Sequence, residues 1–247
     1  MKKYFVLLIL LIFPSYILRW LLPLIGIQFG RNSKIGFSIV VAGSIKILDH
    51  CQIGHFNFIH IESLSMMRSS YIRHFNLIRG PFKLILNEKS AIGKNCIISR
   101  GANGITYGAS KLELGVLSKI TANHFLDLTR SVIIGDYSTL AGIRSQLWTH
   151  GYVHAPNGAD RFRVDGELKI GNNVYIGSGV IINPGVEIVD GVSLGGNSCV
   201  SKSLLQKGMY VSQPLRYIER DYDAIKASLK EISEPDLIEK VFEKDPK

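Results

Sequence analysis

The chain has 247 residues, 46% of them hydrophobic, so it is long enough to bury a sizeable core. Its formal net charge of +9 favours an anionic partner such as a phosphate group or a membrane surface. Nucleic acid is disfavoured, because no RRM, helix-turn-helix or zinc-finger pattern is present. The three cysteines, Cys51, Cys96 and Cys199, show no CxxC spacing, which argues against disulfides and metal ligation and predicts core thiols in a reducing compartment.

Residues 1–30 form a hydrophobic segment that differs from the rest of the chain. Two lysines precede an uncharged run over residues 4–18, and Pro14 and Pro23 divide the segment. The run is shorter than the ~20 residues that cross a bilayer, and no A-x-A cleavage site follows it, which disfavours a signal peptide. We expect a broken hydrophobic hairpin resting in one membrane leaflet. A true membrane span and a cap on the following fold are the alternatives.

Residues 170–205 consist of six consecutive hexapeptides. An aliphatic residue holds the first place of all six: Ile170, Ile176, Ile182, Ile188, Leu194 and Val200. A small or β-branched residue holds the fifth place of the first five: Val174, Val180, Val186, Val192 and Ser198. Neither a helical period nor the strand period of two fits this repeat. A strict short repeat is typical of a parallel β-helix, whose stacked coils bury the first-place residues and turn at Gly and Asn.

Hexapeptide spacing also precedes this stretch, starting at Ile35 and continuing with slips to Leu140. Register is lost near Leu64, and residues 111–117 are unclear. Slips of this kind indicate bulges or looped-out residues at the corners. The spacing places Cys51 and Cys96 at fifth places, where a small buried residue fits. We interpret residues 31–218 as one β-helix domain.

Two segments leave the repeat. Residues 145–169 contain Pro, Gly, Asn and charges of both signs, which predicts a loop leaving the prism. A long excursion from a rigid scaffold is where chemistry is expected. Residues 219–247 show helical spacing interrupted by Pro235, which predicts a short helical tail that caps the final coil.

Three segments resemble hexapeptide-repeat acyltransferases of the sugar O-acetyltransferase type. They are THG at residues 149–151, IGNNVYIGSGVIINPGVEI from Ile170, and LGGNSCVSKSL from Leu194. With the earlier repeats, the resemblance covers residues 31–218. It implies an all-β, left-handed parallel β-helix, against the usual right-handed crossover. It also implies a homotrimer that binds acetyl-CoA in clefts between neighbouring chains.

Acetyl transfer to a hydroxyl needs a general base, and histidine suits this task near neutral pH. Of seven histidines, only His150 and His154 lie in the excursion, and His150 matches the family's catalytic motif. We expect His150 to be the base and keep His154 as the alternative. His124, close to Asp127 in sequence, is a weaker candidate for orienting the base or contacting the acceptor.

The resemblance also suggests binding residues. Asn103 lies near where related sugar acetyltransferases hold an acceptor-contacting Asn, although it also suits a left-handed corner. The expected cofactor contacts, with cations for the phosphates among them, are Tyr175, Gly195, Gly196, Ser198, Lys202 and Arg216. No metal ligand set is expected.

The resemblance and the hydrophobic start together predict an acetyltransferase on the cytoplasmic face of the membrane. It would move acetyl from acetyl-CoA to a sugar hydroxyl of a lipid- or nucleotide-linked precursor of a surface polysaccharide: capsule, exopolysaccharide or lipopolysaccharide. A longer acyl thioester as donor and a non-catalytic β-helix scaffold are alternatives. A γ-type zinc carbonic anhydrase is another, although two of its ligands lie five residues apart whereas His150 and His154 lie four apart.

Overall fold

The computed structural model describes residues 2–212, 224, 227, 230–232 and 241–243. The chain divides into two compact units, Met1–Ser212 and Gln213–Lys247. The first unit begins with two helices, α1 (Lys2–Ile12) and α2 (Ser15–Leu24). A parallel β-solenoid of about nine turns follows them, as the hexapeptide pattern predicts.

The strands are short and numerous. In chain order they are β1 (Gln28–Phe29), β2 (Lys34–Ile35), β3 (Ile39–Ile47), β4 (Gln52–Ile53), β5 (Phe58–Met66), β6 (Tyr71–Ile72), β7 (Leu77–Leu86), β8 (Ala91–Ile92), β9 (Ile97–Ser99), β10 (Lys111–Leu114), β11 (Lys119–Ile120), β12 (Phe125–Asp127), β13 (Val132–Ile134), β14 (Thr139–Leu140), β15 (Gln146–Leu147), β16 (His150–His154), β17 (Arg161–Asp165), β18 (Leu168–Ile170), β19 (Tyr175–Ile176), β20 (Ile181–Ile182), β21 (Glu187–Ile188), β22 (Val192–Leu194), β23 (Cys199–Val200), β24 (Gly208–Tyr210), β25 (Lys230–Ile232) and β26 (Val241–Glu243).

The solenoid strands form three parallel stacks. The first stack runs β2-β4-β6-β8-β11-β14-β19-β22-β24. The long strands β3, β5 and β7 turn a corner, so their first halves begin the second stack and their second halves belong to the third. The second stack continues through β9, β12, β15, β20 and β23, and the third contains β1 and continues through β10, β13, β18 and β21.

The first-place residues of the repeat point into the prism, as predicted. All six in residues 170–205 are at most 5% exposed, and the five fifth-place residues are buried as well. Successive coils there lie 18 residues apart, as the hydrogen bond from Asn172 N to Asp190 Oδ1 shows. Each strand is too short to be stable by itself, so burial of these aliphatic columns against the neighbouring coils stabilises the fold.

The corners use the residues that the pattern indicates. The fourth place of the first five hexapeptides from Ile170 has a positive φ: Asn173 (54°), Gly179 (68°), Gly185 (79°), Gly191 (72°) and Asn197 (56°). Glycine and asparagine adopt this left-handed conformation at the least cost. The chain can therefore turn at every sixth residue without disturbing the buried columns.

The slips in the repeat have structural causes. The pairing of β5 with β7 shifts between Ile61 and Ser63, and Leu64 stays buried beyond this bulge. The unclear stretch after residue 110 begins with β10, which pairs with β7 and β13. Residues 101–110 leave the prism, and we call them the first excursion. The sequence pattern did not reveal it.

The segment predicted to leave the prism, residues 145–169, contains a strand of the stacks near each of its ends. Gln146–Leu147 is strand β15 of the second stack, and Leu168–Ile170 is strand β18 of the third. Residues 148–167 form the part outside the stacks, and we call them the second excursion. It is not a plain loop, because β16 and β17 pair within it as an antiparallel hairpin.

The N-terminal helices cover the start of the solenoid. Val6 and Leu10 of α1 and Leu18 and Leu22 of α2 belong to the hydrophobic core. This burial supports the cap interpretation for one side of the segment. The other side exposes large apolar residues: Tyr4, Phe5, Leu8, Ile12, Tyr16, Trp20 and Leu24. Neither helix in the described residues has the length and apolar content needed to span a bilayer.

The C-terminal tail departs from the predicted helix where it is described. Residues 224 and 227 are helical, but β25 and β26 pair as antiparallel strands. β-Branched Ile232 and Val241 suit strands at least as well as the helix inferred from their spacing. Most of the predicted tail, 219–247, and Arg216 lie outside the described residues.

The cysteines are free in the structure. Cys51 and Cys96 are buried, as expected from their fifth places, and burial raises the pKa of the Cys96 thiol to about 11. Cys199 is exposed, contrary to the expectation of a core thiol, because it points outward beside the buried Val200.

The inward columns can be tested at strand β20. Ile182 is fully buried and stacks between Leu147 and Val200, so Ile182→Ala should lower the free energy of unfolding by about 2–5 kcal/mol. The preceding Ile181 faces outward, and Ile181→Ala should change it by less than about 1 kcal/mol. Urea unfolding followed by circular dichroism measures both. Equal losses in the two variants would contradict the assignment of the inward face.

Candidate active site

The second excursion replaces one corner of the solenoid. It leaves after β15 of the second stack and returns at β18 of the third. In its hairpin, His150 lies opposite Asp165 at the base, where the Gly166 N–H donates to the Thr149 carbonyl oxygen. His150 is therefore held where the hairpin joins the rigid prism.

His150 is hydrogen-bonded to a buried carboxylate. Its Nδ1 lies 2.8 Å from Asp127 Oδ2 and 3.2 Å from Thr129 Oγ1. An ionised carboxylate only accepts hydrogen bonds, so Nδ1 carries the proton and donates to Asp127. This assignment leaves Nε2 as the ring nitrogen that can accept a proton. The His150 side chain is 27% exposed, so it is not sealed in the core.

Asp127 is held as an anion by the groups around it. Its Oδ2 also accepts from the Thr149 N–H (3.0 Å) and from Thr149 Oγ1 (2.6 Å), and its Oδ1 accepts from the Thr129 N–H (3.2 Å) and Oγ1 (2.9 Å). Burial alone would raise the pKa of this carboxyl. The donors of Thr149, His150 and Thr129 outweigh burial and lower the pKa below its ordinary value.

The coil stacking explains why these residues meet. Leu126 pairs with Leu147 in the second stack, so Asp127 lies one coil before the segment that follows Leu147. Asp127 and His150 are 23 residues apart in sequence, and one turn of the solenoid brings them together. In the sequence, Asp127 stands out only as a neighbour of His124. The signal that could have revealed it is an acidic residue directly after a core position, one coil before the THG motif.

Aromatic rings flank His150 on both sides in sequence. Trp148 and Tyr152 each place their ring centroids 6.0 Å from that of His150, both in an edge-to-face arrangement. Phe125 packs on Trp148 with a centroid distance of 4.8 Å. These rings limit the orientations of the imidazole and line an apolar approach to it.

The two excursions contact each other. Arg163 of β17 donates from Nη1 to the Ile105 carbonyl oxygen at 2.6 Å, while its other guanidinium nitrogens bind Asp165. The first excursion therefore lies beside the hairpin that carries His150. The predicted acceptor residue Asn103 is exposed on this excursion and forms a bridge with Thr106.

Arg100 fixes the first excursion from inside. This buried arginine donates from Nη1 to the Pro81 carbonyl oxygen at 2.5 Å and from Nη2 to the carbonyl oxygens of Tyr107 (3.0 Å) and Gly108 (2.7 Å). Burial lowers the pKa of its guanidinium, and nearby Arg130 adds to the effect. Arg130 itself stacks on the Tyr107 ring at 4.8 Å. The excursion is thus tied to the prism by two cations.

His124 is a core residue. It is 1% exposed; its Nδ1 accepts from the Ser145 N–H at 3.2 Å, and its Nε2 lies 2.9 Å from Thr121 Oγ1. Burial lowers the pKa of His124 to about 4, so the ring is neutral near pH 7. This buried position inside the column suits a structural role. His154, by contrast, is exposed at the far end of β16, opposite Arg161.

Four of the expected cofactor residues, Tyr175, Gly195, Gly196 and Ser198, lie away from the corner that carries His150. Tyr175 is exposed on β19 of the first stack, and Gly195 and Gly196 follow β22 at the corner between the first and second stacks. Ser198 is buried there, where its hydroxyl donates to the Gly195 carbonyl oxygen at 2.8 Å, and Lys202 is exposed. Within one chain, these four residues are not brought to the corner that carries His150, whereas Lys202 follows β23 and lies two coils further along that corner.

No family model and no curated protein sequence matches the chain. Solved structures similar to it include the polySia-specific acetyltransferase NeuO, with 20% identity over 78% of each chain and a TM-score of 0.39. A maltose O-acetyltransferase from Clostridium difficile 630 shares 19% identity over 78% of this chain and 68% of its own, with a TM-score of 0.31. A variant of the N-acyltransferase AntD from Bacillus cereus, in complex with dTDP-4-amino-4,6-dideoxyglucose and Coenzyme A, shares 18% identity over 83% and 91%, with a TM-score of 0.36.

The buried His124 should make stability depend on pH. In the unfolded chain it binds a proton below about pH 6.5, whereas in the folded chain it does so only near pH 4. The unfolded state therefore binds more protons in this window, and the free energy of unfolding should fall by about 3 kcal/mol as the pH drops through it. His124→Asn should remove this dependence, as measured by urea unfolding at several pH values.

Asparagine is a suitable replacement, because Asn57 and Asn76 occupy the same place in earlier coils, and Asn76 Oδ1 accepts the next coil's N–H as His124 Nδ1 does. The matched control is His154→Asn, which alters an exposed histidine and should keep the wild-type slope. A His124→Asn protein with an unchanged slope would refute the assignment.

Proposed function

We propose that this chain is an acetyl-CoA-dependent O-acetyltransferase with His150 as its general base. The observation that carries the proposal is the 2.8 Å hydrogen bond from His150 Nδ1 to the buried Asp127 carboxylate, which directs Nε2 away from the core. The THG motif and the hexapeptide coils, with their resemblance to sugar O-acetyltransferases, support the same reaction class. The solenoid is proposed to be left-handed on the same resemblance.

The reaction requires two proton transfers, one to His150 and one from it. His150 Nε2 accepts the proton of the acceptor hydroxyl as its oxygen attacks the thioester carbonyl carbon. The carbonyl π electrons move to oxygen and form a tetrahedral oxyanion. Collapse of this intermediate breaks the carbon–sulfur bond, and the imidazolium returns the proton to the departing CoA sulfur. The products are the sugar acetyl ester and CoA, and the histidine ends in its starting state.

Asp127 is the positioning residue in this scheme. It holds the imidazole in the tautomer with the Nδ1 proton, and its negative charge stabilises the imidazolium that forms during attack. The hydrogen bonds from Thr149 and Thr129 keep Asp127 ionised and fixed in place. The carboxylate therefore acts through His150 and does not touch the substrate.

A complete site is proposed to need two chains. His150 lies at the corner between the second and third stacks, and Gly195 and Gly196 lie at the corner between the first and second. In a homotrimer with clefts between neighbouring prisms, one chain supplies the base and the next supplies the slot for the cofactor arm. We assign six residues to that slot: Tyr175, Gly195, Gly196, Ser198, Lys202 and Arg216.

The acceptor is proposed to be a sugar hydroxyl of a surface-polysaccharide precursor, lipid-linked or nucleotide-linked. Asn103 is suited to contact it, because the first excursion lies beside the His150 hairpin. The exposed apolar side of residues 1–30 is proposed to hold the enzyme on the cytoplasmic face of the membrane. A base that works at the membrane surface would reach acceptors carried by lipids.

Replacement of the base tests the reaction directly. His150→Ala should lower kcat by about 10²–10⁴-fold, because the hydroxyl loses its proton acceptor. Asp127→Asn should also lower kcat but leave KM for acetyl-CoA close to the wild-type value, since Asp127 acts through His150 and does not touch the substrate. Loss of thioester absorbance with acetyl-CoA and crude surface glycan is the assay, and circular dichroism checks folding. His154→Ala, with near-normal turnover, is the matched control; near-normal kcat in folded His150→Ala would falsify the proposal.

The shared site can be tested by complementation. Gly196→Trp should block the proposed slot while leaving His150 intact, and His150→Ala should do the reverse. Each variant alone should be inactive, but coexpressed chains should form mixed oligomers with some intact sites and recover part of the activity. A double variant that carries both substitutions on one chain, mixed with His150→Ala, is the control and should stay inactive because neither chain supplies the base. No recovery in mixed oligomers would show that each chain builds its own site.

A further inference from the structure

A separate cavity lies at the start of the solenoid, away from the second excursion. It has a volume of about 960 Å³ and lies between α2 and the first stack. One wall is formed by Tyr16, Arg19 and Trp20 of α2. The opposite wall is formed by the strands and corners of the first three rows of the first stack, including Lys34 and Arg73. We call it the N-terminal groove.

The charged side chains that line the N-terminal groove are positive. Arg19, Lys34 and Arg73 line it, and its described lining contains no Asp or Glu. Among the residues that the structure describes, none of these three cations has a carboxylate partner within salt-bridge distance. Three uncompensated cations around one concave surface attract an anion with several oxygens, such as a phosphate.

Aromatic side chains accompany two of the cations. The Arg19 guanidinium lies 4.9 Å from the Trp20 ring centroid, and that of Arg73 lies 5.3 Å from the Tyr71 ring centroid. Trp and Tyr prefer the boundary between lipid head groups and acyl chains, where one end of the ring is apolar and the other is wet. The groove thus combines cations with the residues that favour a membrane surface.

The groove opens beside the exposed apolar side of the helices. Tyr16 and Trp20 line the groove and also belong to that side, where they are 74% and 68% exposed. Leu24, at the end of α2, is 82% exposed. The helix is fastened to the solenoid because Ser15 Oγ accepts from the Ile35 N–H at 3.0 Å and donates to its carbonyl oxygen at 3.2 Å. Cations and apolar residues therefore keep a fixed relative position.

We propose that the N-terminal groove binds the phosphate head group of an anionic membrane lipid while the exposed apolar side enters the head-group region. The cations would contact the phosphate oxygens, and Trp20 and Tyr16 would lie at the level of the acyl-chain boundary. This site goes beyond acetyl transfer and does not use His150. It shares with the proposed function only the membrane contact of residues 1–30.

Vesicle sedimentation tests the groove with the full-length protein. The probes are phosphatidylcholine vesicles with and without phosphatidylglycerol. Wild-type protein should bind the anionic vesicles more tightly, and Lys34→Ala with Arg73→Ala should weaken that binding by about 30-fold. Binding to pure phosphatidylcholine should not change, because both residues lie outside the apolar side. His150→Ala should bind both kinds of vesicle like wild type, which separates this test from the acetyl-transfer proposal.

Two control proteins sharpen the result. Lys119→Ala with Lys169→Ala removes the same charge from exposed strand positions further along the solenoid and should change anionic binding by no more than about twofold, because salt screens distant charges. Leu8→Asn with Leu24→Asn alters only the apolar side and should weaken binding to both kinds of vesicle.

Two outcomes would overturn the proposal. Equal losses in the two charge-matched pairs would show that binding depends on net charge and not on the groove. Tight binding of soluble glycerol phosphate without vesicles, abolished by the Lys34 and Arg73 substitutions, would show that the groove serves a free phosphate compound. Isothermal titration calorimetry with glycerol phosphate measures this second outcome.

Discussion

The stacking of aliphatic side chains between successive coils is the interaction on which the rest of the structure depends. Most strands of the prism contain only two or three residues, and each is held by the strands before and after it in its stack. Removing inward residues from water binds the coils together, while Asn and Gly in left-handed corners let the chain turn. The result is a rigid column in which residues about one coil apart become neighbours. Any chemistry on this chain must be built from such neighbours or from segments that leave the column.

The two histidines near Asp127 show how this constraint divides structure from chemistry. His124 falls within the regular coil, where its ring takes the place of the asparagine side chains that bind the next coil's backbone in earlier coils. Burial lowers the pKa of His124 to about 4. His150 falls where the chain departs from the column, so its Nδ1 binds the buried Asp127 while the side chain stays partly exposed. Both rings are positioned by the same stack. Only the departure of the chain after Leu147 makes one of them suitable as a base.

The two proposed sites lie at different places along the solenoid. The helices at the start cover the open end of the column with their buried leucines, and their remaining surface is apolar beside a groove of uncompensated cations. The two excursions emerge later, contact each other through Arg163, and surround the histidine–aspartate pair. Surface attachment and acetyl transfer would therefore use different coils of one rigid body. Substitutions at one place can be made without disturbing the other.

Much of this architecture can be predicted from the repeat pattern alone. The period of six predicted the parallel solenoid and its inward residues, the Asn and Gly places predicted the corners, and the break in the repeat located the excursion with His150. Three features became visible only in the folded chain: Asp127 is the partner of His150, residues 101–110 also leave the column, and His124 is buried inside it. The physical reason is that these facts depend on pairing between coils. Inserted residues shift that pairing at several turns of the solenoid. A local repeat therefore does not predict which side chains the next coil brings into contact.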